Sequence, residues 1–373
     1  MERLPELARD IGVDIGVDIA LVSPEESVHA AAQYARKGAA PWVDRALDKV
    51  ARGLGEKARN GGLALFLGAG VSIPAGLMSW SALIDRLAQE LAVEEYDNSA
   101  APLTLVDQAE LIQHRKPRKF RKRVVQATAE AKRPSLLHAL LAGLNCAEVV
   151  TTNYDQLYEE AVRAAGREVA SVMPRQNARG VARWVLKMHG DVEDSTSIVL
   201  TRRSMVRYDA TNRPSGAVLP SLLLTKHLLV VGASMTDDNF IRLAHEVDAY
   251  RTDYETFIEG QAREVGTVLD AAGDGIRQAL WEGQFGWVDL TGRGSWPGWR
   301  MIELFLDRVA FHASRSSSWL LDPRFSPLLQ DEVDGQLADR ARALYESLPK
   351  GGSSKWAPLT RSLEGLGATG RHG

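Results

Sequence analysis

Residues that can do chemistry stand at the ends of apolar runs in this chain. Leu63-Ala-Leu-Phe-Leu67 runs into Gly68-Ala69-Gly70-Val71-Ser72, and Glu148-Val-Val-Thr151 into Thr152-Asn153-Tyr154-Asp155. Trp184-Val-Leu-Lys-Met188 ends at His189-Gly190, and Leu228-Leu-Val-Val231 at Gly232-Ala233-Ser234. Glycine lets a backbone turn sharply and approach a ligand closely. Backbone N–H groups left free at such a turn, and at the start of a following helix, favour a phosphate. Gly68, Ala69, Gly70, Ser72, Gly232 and Ser234 therefore read as contacts for a nucleotide or dinucleotide, against the plainer reading of tight turns. Asn153 is unusual at the end of a buried strand because a buried amide needs partners, although asparagine also serves as a turn residue. Asp155 is a natural N-cap for a helix over 156–164 and also a ligand contact. His189 can accept a proton near neutral pH.

The four apolar runs lack polar alternation, which predicts strands buried on both faces of a parallel sheet. Ligands of open α/β sheets lie beyond the carboxyl ends of the strands, so Gly70, Asn153, His189 and Ser234 can share one cleft. A helical pattern resumes at Ser79–Ala88, with Trp80 read as its anchor to the core. Residues 85–145 are too long for one crossover helix and predict a helical insertion. After Ser234, Asp237-Asp238-Asn239 caps a helix to about Tyr250. A strand near 265–269, a helix near 274–281, a strand at 287–290 and a helix near 299–313 complete the sheet domain. His138 and His227 read as packing or surface residues.

In that order the four segments resemble the sirtuin family, over roughly residues 60–295. GAGVS with Ile73-Pro74 and Trp80 is similar to its first phosphate loop, Asn153-Tyr154-Asp155 to its catalytic N-x-D, His189-Gly190 to its catalytic histidine, and Gly232-Ala233-Ser234 to its later nucleotide loop. Protein-deacylating sirtuins carry two Cys-x-x-Cys pairs for a structural zinc. This chain has one cysteine, Cys146, so a tetrahedral thiolate zinc site is excluded. The remaining resemblance is to the zinc-free sirtuin-like branch of bacterial antiphage defence. It implies a Rossmann-like α/β domain that takes NAD as substrate and hydrolyses it to nicotinamide and ADP-ribose. Asn153 and His189 are the implied catalytic pair, the first orienting water near C1′, the second bonding the ribose hydroxyls as general base. Gly68, Ala69, Gly70 and Ser72 would hold the pyrophosphate, Gly232 and Ser234 the adenosine side, and Asp155 the carboxamide. The resemblance further implies that the helical insertion is a lid over the cleft, and control through a homo-oligomer or a HerA-type ATPase partner. The alternatives are a non-catalytic sensor of NAD or ADP-ribose that scaffolds a partner ATPase, and a deacylase that dispenses with zinc.

Three segments follow: an N-terminal helical extension (1–58), a sirtuin-like NAD-binding domain (59–315) with its insertion, and a C-terminal appendage (316–373) in which Lys350-Gly-Gly-Ser-Ser-Lys355 reads as a flexible tail. The direct repeat Gly12-Val-Asp-Ile15, Gly16-Val-Asp-Ile19 has the alternation of a short exposed strand, with a solvated loop preferred to a strand that binds a partner. A chain of 373 residues can bury a large core, and a formal charge of −3 gives no global attraction to nucleic acid or an anionic membrane. Arg115–Arg123 places seven cations in nine positions. A solvated helix face is preferred there to nucleic-acid contact. No P-loop signature, metal constellation, signal peptide or membrane-spanning run is present, and a single cysteine suits a reducing, cytoplasmic setting.

Overall fold

A computed structural model of the chain describes residues 44–93, 103–169, 171–254, 264–292, 297–314, 317–349 and 355–368, with 25–36 and scattered positions between 7 and 23. In chain order, α1 (Glu26–Ala35) and α2 (Arg45–Arg59) precede β1 (Leu63–Leu67). Helices α3 (Trp80–Glu90), α4 (Leu105–Arg115), α5 (Phe120–Thr128) and α6 (Leu136–Gly143) separate β1 from β2 (Glu148–Thr151). Helix α7 (Leu157–Ala164) and β3 (Ser171–Met173) lead to β4 (Trp184–Lys187), and α8 (Arg202–Gly216) and α9 (Val218–Thr225) lead to β5 (His227–Val231). There follow α10 (Asp238–Tyr254), β6 (Gly266–Asp270), α11 (Gly275–Leu280), β7 (Phe285–Asp289), α12 (Gly298–Ala313), α13 (Glu332–Ser347) and α14 (Ala357–Glu364).

The chain divides into two units, one of residues 60–307 and one built from both ends, 1–59 with 308–373. The first holds a seven-stranded sheet of order β3-β4-β2-β1-β5-β6-β7, parallel at every pairing. This is the expected Rossmann-like α/β class. All five residues of β1 are buried, as a strand with neighbours on both sides and helices on both faces requires. Register then sets the site: Leu67 pairs with Thr151 on one side and Val231 on the other, and Thr151 pairs with Lys187. The residues that follow these four positions therefore leave the sheet at one level. The connection from β1 runs toward β2 while that from β5 runs toward β6, so the order reverses between β1 and β5, the position where such sheets bind ligands.

Helices α3, α4 and α5 of the insertion share a core of Ile84, Leu87, Ala109, Ile112, Phe120 and Val124, which also receives Tyr154. A second core includes Phe66, Val150, Leu186, Val230, Phe240 and Phe285. In the unit built from the chain ends, Ala30, Ala31, Trp319, Phe325 and Leu328 pack together, and Leu321, Ala338, Leu363 and Ala368 form a further cluster. Asp48 accepts hydrogen bonds from Arg308 Nε (2.6 Å) and lies 2.9 Å from His312 Nε2, tying α2 to the end of α12. The Arg308 guanidinium, opposed by burial and helped by His312, holds the Asp48 carboxyl far below the usual carboxylate range.

The strand suggested by the alternation of the N-terminal repeat does not form where it is described. Gly12, Asp14 and Ile15 are helical, Ile19 is irregular, and Val13, Gly16, Val17 and Asp18 lie outside the described residues. Isolated exposed alternation provides no edge to pair with, whereas a helix satisfies its own backbone. Lys350–Ser354, most of the expected tail, also lie outside the described residues, but helices α13 and α14 flank them. Strand β3 went unanticipated.

Candidate active site

The β1 turn and the β5 turn are fused by their backbones. Gly68 N donates to Val231 O (2.9 Å) and Gly70 N to Gly232 O (2.8 Å). Gly232 has φ +68, and a Cβ there would lie 2.5 Å from Val71 N. Glycine is needed at this crossing because two main chains touch. Val71 N and Ser72 N are also engaged, with Gly68 O and Ala69 O, as the turn coils into a 3-10 segment over Ala69–Val71.

Ser72 is buried at the centre of a closed network. Its hydroxyl donates its only proton to Asp155 Oδ2 (2.8 Å) and accepts from Asn153 Nδ2 (3.1 Å). His138 supplies the other contact. Ser135 N donates to His138 Nδ1 (3.2 Å), which places the ring proton on Nε2, 3.5 Å from Ser72 Oγ. One proton given and two contacts received fill the capacity of the hydroxyl. The sequence offered Ser72 to a phosphate; here it joins the β1 turn to Asn153 and Asp155. Burial pushes the His138 imidazole down to about 4, with Asp155 opposing, so the ring is neutral at pH 7.

Asn153 lies just beyond β2. Its Nδ2 also donates to Gly68 O (3.1 Å), and its backbone N donates to Thr151 Oγ1 (3.0 Å). Both side-chain bonds use the amide nitrogen, which leaves Oδ1 as the acceptor for a further partner. Asp155 combines two functions: Oδ1 accepts from Leu157 N (3.0 Å) at the start of α7 while Oδ2 holds Ser72. Ala69, Ser72, Trp80, Asn153 and Asp155 line one cavity of about 40 Å³ with Leu77, Met78, Leu83, Ala127, Thr128, Thr152 and Tyr154. That is room for a water or two. Admission of a ring requires the α3 wall, Trp80 and Leu83, to move.

His189 packs near Trp80, their ring centroids 5.9 Å apart. It is buried, and its Nε2 lies 2.9 Å from Asp237 Oδ2. Neither ring nitrogen makes an aligned hydrogen bond among the described residues. Burial works against charge on Asp237, but the His189 imidazole and the N–H groups of Phe240 and Asn239 outweigh it and hold this carboxyl below the ordinary aspartate range. The backbone carbonyl of His189 accepts from Val199 N (2.8 Å). Ser234 is on the exposed rim, its hydroxyl 2.6 Å from Thr236 Oγ1 and its carbonyl accepting from Arg277 Nη1 (2.7 Å).

The structure thus joins Gly68, Ser72, Asn153 and Asp155 directly, sets Gly70 against Gly232, brings Trp80 against His189, and leaves Ser234 at the edge. Sequence reasoning missed three participants. His138 was read as packing; its spacing after Ser135 was the available signal, since Ser-x-x-polar is a capping pattern. Asp237 was read only as part of a cap. Lys187 was a charged residue inside an apolar run. It is fully buried, its Nζ bonding the carbonyls of Tyr154 (3.3 Å) and Asp155 and pairing with Glu159 (2.9 Å) and Asp191 (3.3 Å). It clamps the Asn153–Asp155 turn to the strand that carries His189. His227 sits in packing, 2.8 Å from Thr267 Oγ1. Among the described residues no group of three or more His, Cys, Asp or Glu is placed to hold a metal ion, and the buried Cys146 thiol is pushed up to about 12 by burial.

A parallel sheet with a glycine crossing at its switch point, and Asn153 and His189 beyond adjacent strands, is the arrangement in which open α/β sheets take their ligands. Residues 147–272 match the family model of the SIR2-like domain. The chain is 30% identical over 208 residues to the NAD(+) hydrolase ThsA of Enterococcus faecium, covering 52% of this chain and 41% of that protein. It is 29% identical over 204 residues to the NAD(+) hydrolase ThsA of Bacillus cereus (strain MSX-D12), covering 50% and 41%. Identity to Defense-associated sirtuin 2 of Bacillus subtilis is 23% over 204 residues, covering 53% and 20%. The chain thus spans less than half the length of each of these relatives.

Proposed function

We propose that the protein is an NAD+ hydrolase that cleaves the nicotinamide–ribose bond, with water, to nicotinamide, ADP-ribose and a proton, and that it acts as an NAD-depleting effector of antiphage defence. The observation that carries the reading is Trp80, which lines the cavity with Asn153 and stands 5.9 Å from the His189 ring, in a domain similar to the named NAD(+) hydrolases. Bond cleavage builds positive charge on the ribose, which carboxylates in a water-poor site stabilise. Asp155 and Asp237 are the carboxylates there. Asn153 Oδ1 orients the attacking water, and His189 bonds the ribose hydroxyls and takes the proton, with Asp237 holding the resulting imidazolium. Ser72 acts by positioning Asn153 and Asp155. Gly68, Ala69 and Gly70 approach the pyrophosphate, with Gly232 and Ser234 toward the adenosine. No zinc takes part.

We further place the protein in the cytoplasm, as an oligomer or docked on a HerA-type ATPase. No helix among the described residues is long and apolar enough to cross a membrane. Val333, Leu337 and Leu344 are exposed along α13, an apolar stripe that suits a protein contact. The test is incubation of the purified chain with NAD+, with products resolved chromatographically and an acyl-peptide arm scored for O-acyl-ADP-ribose. Nicotinamide and ADP-ribose without peptide support hydrolysis. Bound, uncleaved NAD+ would mean a sensor, and product only with peptide a deacylase.

A further inference from the structure

The basic run Arg115–Arg123 finds no use in the site above, yet part of it borders a second cleft. A cavity of about 700 Å³ is lined by α4 (Glu110, Gln113, His114), Pro117, Arg121, Pro174, the end of β4, and residues 196–208. It shares no lining residue with the cavity over Asn153. Its size falls within the ~300–1,000 Å³ range of small-molecule sites.

The chemistry of the walls selects an anion. Arg121, Arg203, Arg207 and Lys187 line the cleft with one carboxylate, Glu110. Glu110 is engaged with Arg203, through its backbone N (3.0 Å) and Nε (3.5 Å), and Lys187 with Glu159 and Asp191. Arg121 makes no ion pair among the described residues, so its guanidinium fork is open to a phosphate. Beside the cations, Met188, Ile198, Val199 and the prolines Pro117 and Pro174 give an apolar wall. An anion-binding arginine next to an apolar wall suits a nucleoside phosphate. A nucleic-acid strand is a poorer fit, because Phe120, the one aromatic residue of the basic run, is buried in the insertion core and offers no base a stacking surface.

We propose that this cleft is a second ligand site, for a nucleoside mono- or diphosphate, and that its occupancy is felt at His189. The mechanical link is short. Val199 lines the cleft and donates to His189 O (2.8 Å). Gly190, at φ +94, is so close to Ser197 that a Cβ would sit 2.3 Å from Ser197 O, so the 196–199 wall and the His189 turn move together. Lys187, buried beneath the cleft wall, holds the carbonyls of Tyr154 and Asp155. Binding stands on the cleft alone; the effect on turnover rests on the NAD-hydrolase reading.

Isothermal titration of the full chain with ADP, AMP and inorganic phosphate tests it, on the parent protein, Arg121→Glu and Arg207→Gln, each checked for folding by circular dichroism. ADP should bind the parent, and at least tenfold more weakly, or with one site fewer, when Arg121 is reversed. Phosphate alone should bind more weakly than ADP. His189→Ala should still bind ADP, so a failed NAD assay leaves this result readable. Turnover of NAD+ without ADP should be unchanged in Arg121→Glu, while its response to ADP should disappear. No ADP binding, an ADP isotherm indifferent to both arginine variants, or phosphate binding as tightly as ADP overturns the assignment.

Discussion

The β1–β2 side of the site and the β4–β5 side each bury a histidine near an aspartate, yet the two are wired differently. On the β1–β2 side, His138 reaches Asp155 through the Ser72 hydroxyl, and burial keeps the ring neutral. On the β4–β5 side, His189 faces Asp237 directly at 2.9 Å, and the carboxyl is held down by that neighbour. The intervening hydroxyl makes the difference. A network built around a neutral, buried imidazole fixes geometry, whereas an imidazole set directly against a carboxylate is placed for proton transfer. On the proposed reading the first side positions and the second moves the proton.

The sharpest way to break this division is to remove the reacting group of each side. Asn153→Ala and His189→Ala should each lower NAD+ turnover by about 10²–10⁴-fold with the fold retained. Turnover by chromatography, with circular dichroism as control, decides it; activity near the parent level in both variants would remove the site. The next test attacks the link. Lys187→Ala strands Glu159 as a buried carboxylate without its cation and leaves Asp191 to Arg175 alone, and breaking such a network costs about 3–5 kcal/mol. Urea unfolding should show a midpoint lowered accordingly, and a midpoint unchanged from the parent would mean the clamp is not structural. A smaller effect is expected from Asp237→Asn, which keeps the size and the Phe240 contact but loses the charge opposite His189. Turnover should fall about 10–10²-fold, and the pH–rate profile should change shape, since the carboxylate facing the His189 ring is lost. A uniform loss with an unmoved profile would assign Asp237 to packing instead.

The β1–β2 side was the more legible in sequence. Unbroken apolar runs mark β1, β2, β4 and β5, and the residues just past them are the site. Strand β3 escaped because three residues at a sheet edge, Ser171–Met173, carry no run to detect. The glycines were found, but sequence cannot tell a turn that meets phosphate from one that meets another turn; here Gly70 and Gly232 meet each other. Lys187 and His138 were hidden for a different reason. Their roles depend on contacts to Asp155 and to Ser72, 66 residues from His138 in the chain. Local pattern reports which face a residue takes, not what waits there.

The last and smallest effect tests whether the positioning side stays neutral. In the unfolded chain a histidine titrates near 6.5, whereas His138 in the folded protein does so at about 4. Between those values the unfolded state binds the proton and the native state does not, so lowering the pH favours unfolding, and the stability present above pH 6.5 is lost on the way to pH 4. At pH 5.5 the difference of one unit from the unfolded value corresponds to about 1 kcal/mol. His138→Gln removes the titrating group. It should be less stable than the parent at pH 7.5, because the contact to Ser72 is altered, but its stability should fall less between pH 7.5 and 5.5. Urea titrations of both proteins across that range read the difference directly. Equal slopes would mean that His138 ionises in the folded state as readily as in the unfolded one, which its burial beside Ser72 does not permit.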